Sequence, residues 1–340
     1  MVESIVKEYL DQMVEDGVFP GYQLGVISAD ETYRFYGGYS QIYPNKKPME
    51  MGLIFDLASV TKVVGTVSAC LFLIEEGKLD LDMSVSDFFQ GFEERVKIHH
   101  LLTHTSGLEA DLSWRNKDKQ AMRKAILSAK VREDYFEKVM VYSDIGFLIL
   151  GFIINKLTGD LENYLKEKLF IPLEMKNTFY NPMDKESCVP TELTSWRGLV
   201  HGEVHDEKSF ILGGVTGHAG LFSNLDDLLN YGSMLLAGGN FKGKKILSSG
   251  SIELLRKPLV SIGGQQRSLG WLISTPTKPY CEMLAHGSLF HAGFTGPSIL
   301  LNFEEKKACL LLTNRVHPGR DNELLSKSRR LLHNRVFSLL

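Results

Sequence analysis

The most informative stretch of this chain is Ser59-Val60-Thr61-Lys62. Residues 53–57 before it predict a short strand, and residues 60–76 predict an apolar helix. A serine nucleophile needs a group that takes its proton, and a lysine three residues on lies on the same helical face. That lysine can serve as the base if burial or a neighbouring cation keeps it partly neutral. At such a junction, free backbone N–H groups and the positive helix end face a developing oxyanion.

The composition narrows the class of protein. The chain has 340 residues, 44% of them hydrophobic, which is enough to bury a sizeable core. A net charge of −3 and the lack of a basic stretch with interleaved aromatics exclude nucleic acid as the expected partner. The N-terminus lacks a basic segment followed by an apolar one, so we expect a cytoplasmic protein, although a trimmed secreted precursor would look the same. The longest apolar run, 145–154, is about half the length of a membrane span, so none is expected.

Strand signals lie at both ends of the chain and helical signals in the middle. Strands are predicted over 22–28 and 32–37, joined across Ala29-Asp30-Glu31, and later over 268–274, 288–292, 298–303 and 308–314. Helices are predicted over 2–15, 121–129, 145–157, 161–169, 225–236 and 322–340. This order predicts an α/β (α+β) fold, an antiparallel sheet with terminal helices on one face and an inserted helical lobe. We expect a single domain over 1–340, with a sheet lobe at about 1–58 and 263–340 and a helical lobe with loops at about 59–262.

Two further motifs follow in chain order. Alone, Ser-x-x-Lys is a weak signal, because a serine that caps a helix, followed by a solvent-exposed lysine, matches the same sequence pattern. Tyr142-Ser143-Asp144 stands just before a predicted helix, and His291-Ala292-Gly293 lies on a predicted strand before Phe294. Together the three motifs resemble S-x-x-K, Y-x-N and [KH]-[TSA]-G of the serine β-lactamase and penicillin-binding-protein superfamily, in its class C-like and esterase-like branch. Residues 99–108 and 213–223 resemble two connecting stretches of that branch, so the resemblance covers about 21–314.

The resemblance implies the β-lactamase/transpeptidase-like fold and a role for each matched residue. Ser59 would attack a carbonyl and form an acyl-enzyme, and Lys62 would take its proton or hold a neighbouring phenolate. Tyr142 would act as general acid and base, protonating the leaving group and later activating water. The backbone N–H groups of Ser59 and Phe294 would form the oxyanion hole. Gly293 would leave room for a substrate lying antiparallel along the strand edge.

Two positions depart from the family pattern. Asp144 stands where the family has asparagine, and its carboxylate would accept from Lys62 but repel a substrate carboxylate. His291 replaces the strand lysine that grips the carboxylate of a β-lactam or a D-alanyl peptide, so that positive charge is weakened near neutral pH. Both changes disfavour efficient β-lactam hydrolysis. They favour an esterase or a specialised amidase or peptidase.

A stretch over 197–207 supplies candidates for substrate binding. It resembles the R-G-x-V-H-D-E segment of a penicillin-binding-protein-like sub-branch, some members of which act on cell-wall muropeptides, although an insertion splits the match. Arg197 would bind a substrate carboxylate and offset the missing lysine, or else pair with a surface acid. Trp196 is expected near the substrate, and His205 with Asp206 is expected to position it.

Histidines raise the question of a metal. The side chains of three histidines and one aspartate could bind zinc: His201, His205, Asp206 and His218. Their spacing matches no established metal signature, so we expect neither a metal nor a cofactor. His104 and Ser106 suggest a second base and nucleophile, for which a histidine bonded to backbone beside a turn glycine is the alternative.

These observations predict a serine hydrolase that acts on a small amide or ester through a serine acyl-enzyme. A cell-wall muropeptide or a D-amino-acid compound is the expected substrate. A promiscuous carboxylesterase is the alternative within the enzymes. A non-catalytic binding protein that keeps the fold is the alternative of another class.

Overall fold

The computed structural model describes residues 2–28 and 31–340 of the chain, so the predicted turn at Ala29-Asp30 lies outside the described residues. The helices are α1 (Val2–Glu15), α2 (Ser68–Glu75), α3 (Val85–Phe88), α4 (Ile98–Thr103), α5 (Lys119–Leu127), α6 (Asp144–Thr158), α7 (Leu161–Leu165), α8 (Glu207–Leu212), α9 (Leu225–Leu236), α10 (Ser249–Arg256) and α11 (Leu324–Phe337). A 3-10 turn forms at Ala58–Val60, and π-helical segments form at Lys62–Val67 and Lys166–Phe170. The strands are β1 (Gly21–Ser28), β2 (Glu31–Gln41), β3 (Lys47–Pro48), β4 (Phe55–Asp56), β5 (Phe179–Tyr180), β6 (Leu193–Thr194), β7 (Gly198–Leu199), β8 (Leu221–Ser223), β9 (Asn240–Phe241), β10 (Lys244–Lys245), β11 (Val260–Ile262), β12 (Gln265–Arg267), β13 (Leu272–Ile273), β14 (Leu289–Ala292), β15 (Ser298–Asn302) and β16 (Lys307–Thr313).

The main sheet joins the two ends of the chain. Within residues 2–28 and 31–340, nine strands form one sheet in the order β11-β12-β13-β14-β15-β16-β1-β2-β3. Every neighbouring pair is antiparallel, and β1 lies between β16 and β2. The register of β1 with β16 aligns Tyr22 with Thr313 and Ser28 with Lys307. The mainly helical segment between β3 and β11 is therefore an insertion, as the order of signals along the sequence predicts.

The two faces of the sheet pack against different helices, because side chains alternate along each strand. On one face, Tyr22, Leu24 and Val26 of β1 share a core with both terminal helices, through Val6, Leu10, Leu325, Leu332 and Val336. On the other face, Leu310 and Leu312 of β16 join the larger core, which contains α9 and the apolar helix α6. The terminal helices thus cover one face of the sheet, and the inserted helices cover the other.

The segment that carries Ser59 differs in detail from the prediction. The strand predicted over 53–57 is reduced to β4, which pairs with β8 outside the main sheet. The helix predicted over 60–76 begins earlier, with the 3-10 turn, and passes through a π-helical segment before α2. The stretch Ala58–Glu75 is long and apolar enough to cross a membrane, but 83% of it is buried, as in the core helix of a folded domain.

The strand predicted over 268–274 is confirmed only at β13 (Leu272–Ile273). The first part of that stretch forms the turn between β12 and β13. Gly270 has a φ of +74°, in the left-handed region, which interrupts the extended run. Its N–H donates to the Leu102 carbonyl at 2.8 Å, so the turn is fastened to α4.

Candidate active site

Ser59 lies in the 3-10 turn that leads from β4 into the π-helical segment. The preceding residue, Ala58, has a φ of +44°, in the left-handed region that non-glycine residues seldom occupy. Its N–H donates to Oδ1 of Asp56 at 2.7 Å, and the Thr295 hydroxyl donates to the Asp56 carbonyl at 2.8 Å. The turn is therefore tied both to β4 and to the loop after β14, which holds the nucleophile in place against the backbone strain.

Lys62 is buried and contacts three oxygen atoms around the nucleophile. Its Nζ lies 2.9 Å from Ser59 Oγ, 2.8 Å from Asp144 Oδ1 and 3.2 Å from the carbonyl oxygen of His218. Burial lowers the pKa of Lys62, but Asp144 and Tyr142 together outweigh burial and raise the pKa above its ordinary value. The lysine is thus an ammonium that donates to Ser59. The partly neutral base considered from the sequence is not the form that this geometry favours.

Tyr142 and Asp144 reach the site from the start of α6. The Lys62 ammonium lies 4.8 Å from the centre of the Tyr142 ring, and the tyrosine side chain is 38% exposed. The ring also packs at a tilt against His104, whose Nδ1 accepts the Ser143 N–H at 3.0 Å. His104 is therefore a support for the tyrosine that is bonded to backbone, which is the alternative to a second catalytic base.

A second lysine completes a buried group of charges. Lys208, on α8, lies 3.6 Å from Asp144 Oδ2 and 3.1 Å from Asp206 Oδ2, and His218 Nε2 lies 2.8 Å from Asp206 Oδ1. Burial raises the pKa of Asp144, but Lys62, His218 and Lys208 together outweigh burial and hold that pKa below its ordinary value. Two carboxylates thus alternate with two ammonium groups. The negative charge that Asp144 adds to the family pattern is balanced inside the protein.

Strand β14 forms the opposite wall of the site. His291 is buried, and neither ring nitrogen has a hydrogen-bond partner within the described ranges. Burial, together with Lys62 and Arg267 nearby, holds the pKa of His291 well below its ordinary value, so the ring is neutral. A Cβ on Gly293 would come within 2.5 Å of the Leu57 carbonyl oxygen. The lack of a side chain at Gly293 lets β14 approach the nucleophile turn. The sequence suggests another reason for this glycine, namely room for a substrate along the strand edge.

Phe294 presents its backbone and its side chain to different partners. Its N–H has no acceptor in the part of the chain that the structure describes. Phe294 directly follows Gly293, which packs against the nucleophile turn. The ring is 46% exposed and lies between His205, at 5.5 Å, and the guanidinium of Arg315, at 4.7 Å. This N–H is available to a developing oxyanion.

Most of these groups line one cleft of about 790 Å³, whereas Lys62 and His291 are buried and do not line it. Ser59, Tyr142 and Asp144 line its helical side, and Gly293 and Phe294 line its sheet side. Charged and polar side chains extend the wall at His205, Asp206, Lys208, His218, Arg315 and Arg329. A cleft of this size, with a nucleophile at its wall, is typical of an enzyme that acts on a small molecule.

The fold and the site together can be compared with known proteins. The Beta-lactamase family model matches residues 6–334. The chain belongs to the beta-lactamase family. It is 30% identical to the N-acetylmuramyl-L-alanine amidase of Bacillus subtilis (strain 168), over 91% of this chain and 80% of that protein. As a member of this family with an amidase as relative, the chain is a serine hydrolase.

Solved structures of beta-lactamase-like proteins confirm the fold. A class C beta lactamase matches with a TM-score of 0.78 and 19% identity, over 100% of this chain and 99% of that one. The D-amino acid amidase of Ochrobactrum anthropi SV3, complexed with D-phenylalanine, matches with a TM-score of 0.77 and 20% identity, over the same shares of the two chains. At such identities the likeness extends to the fold alone.

Trp196 and Arg197, which the sequence predicts to bind substrate, do not line the cleft of this beta-lactamase-family enzyme. Arg197 donates through Nη1 to the Val204 carbonyl at 2.8 Å and through Nη2 to the His205 carbonyl at 2.5 Å. Its guanidinium lies 4.8 Å from the centre of a Trp196 ring that is 43% exposed. Arg197 thus braces the backbone that leads to Asp206. Neither a substrate carboxylate nor a surface acid is needed to explain its position.

His205 and Asp206 do line the cleft, but their polar atoms are held by the protein. The His205 N–H donates to Asp56 Oδ2 at 2.6 Å, and its Nε2 lies 2.8 Å from Glu192 Oε2. Asp206 caps α8 by accepting the Ser209 N–H at 2.8 Å. Both residues therefore shape the wall of the cleft, and Asp56 links that wall to the nucleophile turn.

The histidines considered as metal ligands do not converge on one point. His201 and His205 each contact a different oxygen atom at 2.8 Å. His218 lies with Asp144 and Asp206 in a group whose potential ligand atoms are within 4.8 Å of one another. Both carboxylates of that group are ion-paired with lysine ammonium groups, which a divalent cation would have to displace.

Several residues of the site are absent from the predicted set: Asp56, Lys208, Arg315 and Arg329. No spacing rule marks Asp56 or Lys208, although each stands within three residues of a predicted site residue. Arg315 and Arg329 are far along the sequence from the motifs at Ser59 and Tyr142, which form the helical side of the cleft. Only the pairing of β15 with β16 and the packing of α11 on the sheet bring them to the cleft.

Proposed function

We propose that this serine hydrolase cleaves an amide bond in a small cell-wall muropeptide or D-amino-acid derivative through an ester on Ser59. The observation that carries the proposal is the Lys62 ammonium, which bridges Ser59 Oγ and Asp144 Oδ1 at 2.9 and 2.8 Å. The name of the Bacillus subtilis relative, an N-acetylmuramyl-L-alanine amidase, supports both the amide and the muropeptide. The cleft of about 790 Å³ has the size that such a compound needs.

In the acylation step, Ser59 Oγ bonds to the substrate carbonyl carbon while its proton passes to the Tyr142 phenolate. The Lys62 ammonium, 4.8 Å from the centre of the tyrosine ring, stabilises the negative charge of that phenolate. The carbonyl oxygen becomes an oxyanion that accepts hydrogen bonds from the N–H groups of Ser59 and Phe294. The carbon–nitrogen bond then breaks as Tyr142 returns the proton to the leaving nitrogen, which departs as an amine.

In the deacylation step, water loses a proton to the Tyr142 phenolate and its oxygen bonds to the acyl carbon. The ester bond to Ser59 breaks, Tyr142 returns the proton to the serine oxygen, and the carboxylic acid leaves. Lys62 keeps its proton throughout, because the ion pair with Asp144 raises its pKa. Its contribution is therefore electrostatic, and Tyr142 is the group that moves protons.

The charges around the nucleophile do not favour binding of the carboxylate that typical substrates of the family carry. The ammonium groups of Lys62 and Lys208 are paired with Asp144 and are not free to bind a substrate carboxylate, and the neutral, buried His291 supplies no positive charge at the strand. The grip that the resemblance assigns to a strand lysine is therefore missing. For this reason we expect β-lactams to be hydrolysed poorly, even where they acylate Ser59.

Intact-mass spectrometry and product analysis test the acyl-enzyme directly. The protein is incubated separately with a fluorescent penicillin, p-nitrophenyl acetate and N-acetylmuramyl-L-alanine, with release of L-alanine followed for the last. Ser59→Ala should lose every adduct and all turnover. Ser249→Ala, at an exposed serine outside the cleft, is the matched control and should behave as wild type.

The outcomes separate the candidate functions. Release of L-alanine that depends on Ser59 supports the amidase. Ester turnover alone, dependent on Ser59, would make the protein a carboxylesterase. Binding of the muropeptide without adduct or turnover by any probe would refute the hydrolytic mechanism and leave a non-catalytic binding protein.

A further inference from the structure

Four arginines stand at the end of the cleft formed by β16, the loop after it and α11. Two of them have carboxylate partners: Arg320 contacts Glu192 and Glu207, and Arg330 contacts Glu282. The other two, Arg315 and Arg329, have no carboxylate within 4.0 Å among the described residues, yet both line the cleft. The arginines thus divide into a paired set and an unpaired set.

Arg329 is the more unusual of the unpaired set. It is only 8% exposed, and its single hydrogen bond to the described residues runs from Nη1 to the Gly296 carbonyl at 3.1 Å. Burial and the neighbouring Arg315 lower the pKa of Arg329 to about 10. A charge that is buried to this extent is costly unless a partner of opposite sign compensates it.

Arg315 places a second positive charge beside the first. Its Nη1 donates to the Asn322 carbonyl at 2.5 Å, and its guanidinium stacks 4.7 Å from the centre of the Phe294 ring. The charge of Glu323 acts on Arg315, but this carboxylate makes its ion pair with Lys327, at 3.9 Å. Both unpaired arginines are therefore held by carbonyl oxygens, which fixes their positions but leaves their guanidinium groups without a carboxylate in contact.

We infer that Arg315 and Arg329 form a subsite for a carboxylate of the substrate, on the side of Phe294 away from Asp144. Guanidinium groups bind carboxylates through paired hydrogen bonds, and two of them face the cleft here without an acid. The position also supplies a positive charge that is not available beside the nucleophile, because Lys62 and Lys208 are paired with Asp144 there. The inference rests on the proposed function, since it assigns to the hydrolase a substrate with a free carboxylate away from the scissile bond.

A purely structural role makes a different prediction for Arg329. Its bond to the Gly296 carbonyl would then only fix the loop that carries Phe294. Loss of the arginine would in that case slow every substrate alike, because a displaced loop affects all of them. A carboxylate subsite instead discriminates between a charged substrate and its neutral isostere.

Matched ester pairs provide this discrimination. The first pair is the p-nitrophenyl esters of 4-carboxybutanoate and 4-carbamoylbutanoate, which place the carboxylate or its amide in the acyl group. The second pair is the phenylacetyl esters of 4-hydroxybenzoate and 4-hydroxybenzamide, which place it in the leaving group. We expect wild type to prefer the carboxylate in one pair. Arg315→Gln and Arg329→Gln should reduce that preference in kcat/KM by about 10- to 100-fold, the range of a charged hydrogen bond.

Three variants separate charge from folding. Arg329→Lys keeps the charge and should keep most of the preference. Arg256→Gln removes an exposed arginine outside the cleft and should change nothing. Arg315→Gln tests the subsite even if Arg329→Gln is unstable, because Arg315 is only partly buried.

Two results would overturn the subsite. One is a wild type with no preference for the carboxylate in either pair, and the other is a preference that survives in Arg315→Gln. If neither the esters nor N-acetylmuramyl-L-alanine is turned over, the proposed function fails, while the subsite is still tested by titration calorimetry on Ser59→Ala. There, monomethyl glutarate should bind more tightly than methyl 4-carbamoylbutanoate, and Arg315→Gln should abolish the difference; equal affinities would refute the subsite.

Discussion

Separating the charges of Lys62 and Asp144 should destabilise the protein strongly, and the two losses should not add. The lysine side chain is 0% exposed and the aspartate side chain 20%, with 2.8 Å between Nζ and Oδ1. Removing one partner of a buried pair costs about 3–5 kcal/mol. For 340 residues, an unfolding entropy of about 0.7 kcal/mol/K converts this to a fall in Tm of about 4–7 °C. Lys62→Met should lie at the lower end, because Lys208 still faces Asp144 at 3.6 Å.

A double-mutant cycle isolates the pair. Lys62→Met, Asp144→Asn and the double variant are unfolded in urea at pH 7, where the raised pKa of Lys62 and the lowered pKa of Asp144 keep both groups charged. The interaction energy should be at least about 2 kcal/mol, as for residues in one buried network. An interaction energy below about 0.5 kcal/mol, typical of exposed pairs, would mean that water screens the pair. It would also remove the argument that Lys62 stays protonated during catalysis.

Three further perturbations probe other parts of the site. Gly293→Ala should lower kcat by about 10- to 100-fold, because its Cβ would meet the Leu57 carbonyl at 2.5 Å and displace the nucleophile turn; kinetics at wild-type levels would contradict this. Hydrogen bonds from a histidine and an arginine outweigh burial and lower the pKa of Glu192 from 4.5 to about 2, so its stabilisation is present above pH 4.5 and lost as pH falls towards 2. Melting curves should therefore show a smaller fall in Tm between pH 6 and pH 3 for Glu192→Gln than for wild type. Arg197→Met should lower Tm by about 3 °C and slow charged and neutral substrates equally, whereas a selective loss for carboxylates would place it in a substrate subsite.

The sequence predicts the architecture well because the periodic patterns are long. Strand signals at both ends of the chain require a sheet that closes through its termini, and β1 indeed pairs with β16. The boundaries around Ser59 are less predictable. An apolar run such as 60–76 does not distinguish a π-helical segment from an α-helix, because both bury the same side chains. The turn at Gly270 is missed because its neighbours have strand-like alternation.

The motifs predict which residues meet at the nucleophile, but not what surrounds them. Ser59, Tyr142 and Asp144 come together because each motif stands at the start of a helix or helical turn, and such positions can be read from sequence. The direction of a long side chain cannot be read in this way. Arg197 turns to backbone carbonyls, whereas Arg329, without any motif, turns to the cleft. Charge balance among distant residues is a property of the fold.

Phe294 has a consequence for how this enzyme can change. Its backbone N–H is the part offered to the reaction, and every residue except proline would provide the same donor. Its ring, 46% exposed, forms part of the wall against which a substrate lies. Evolution, or a saturation library at this one codon, can therefore alter which molecules fit while the chemical machinery stays constant. Positions of this kind allow one scaffold to diversify into many specificities.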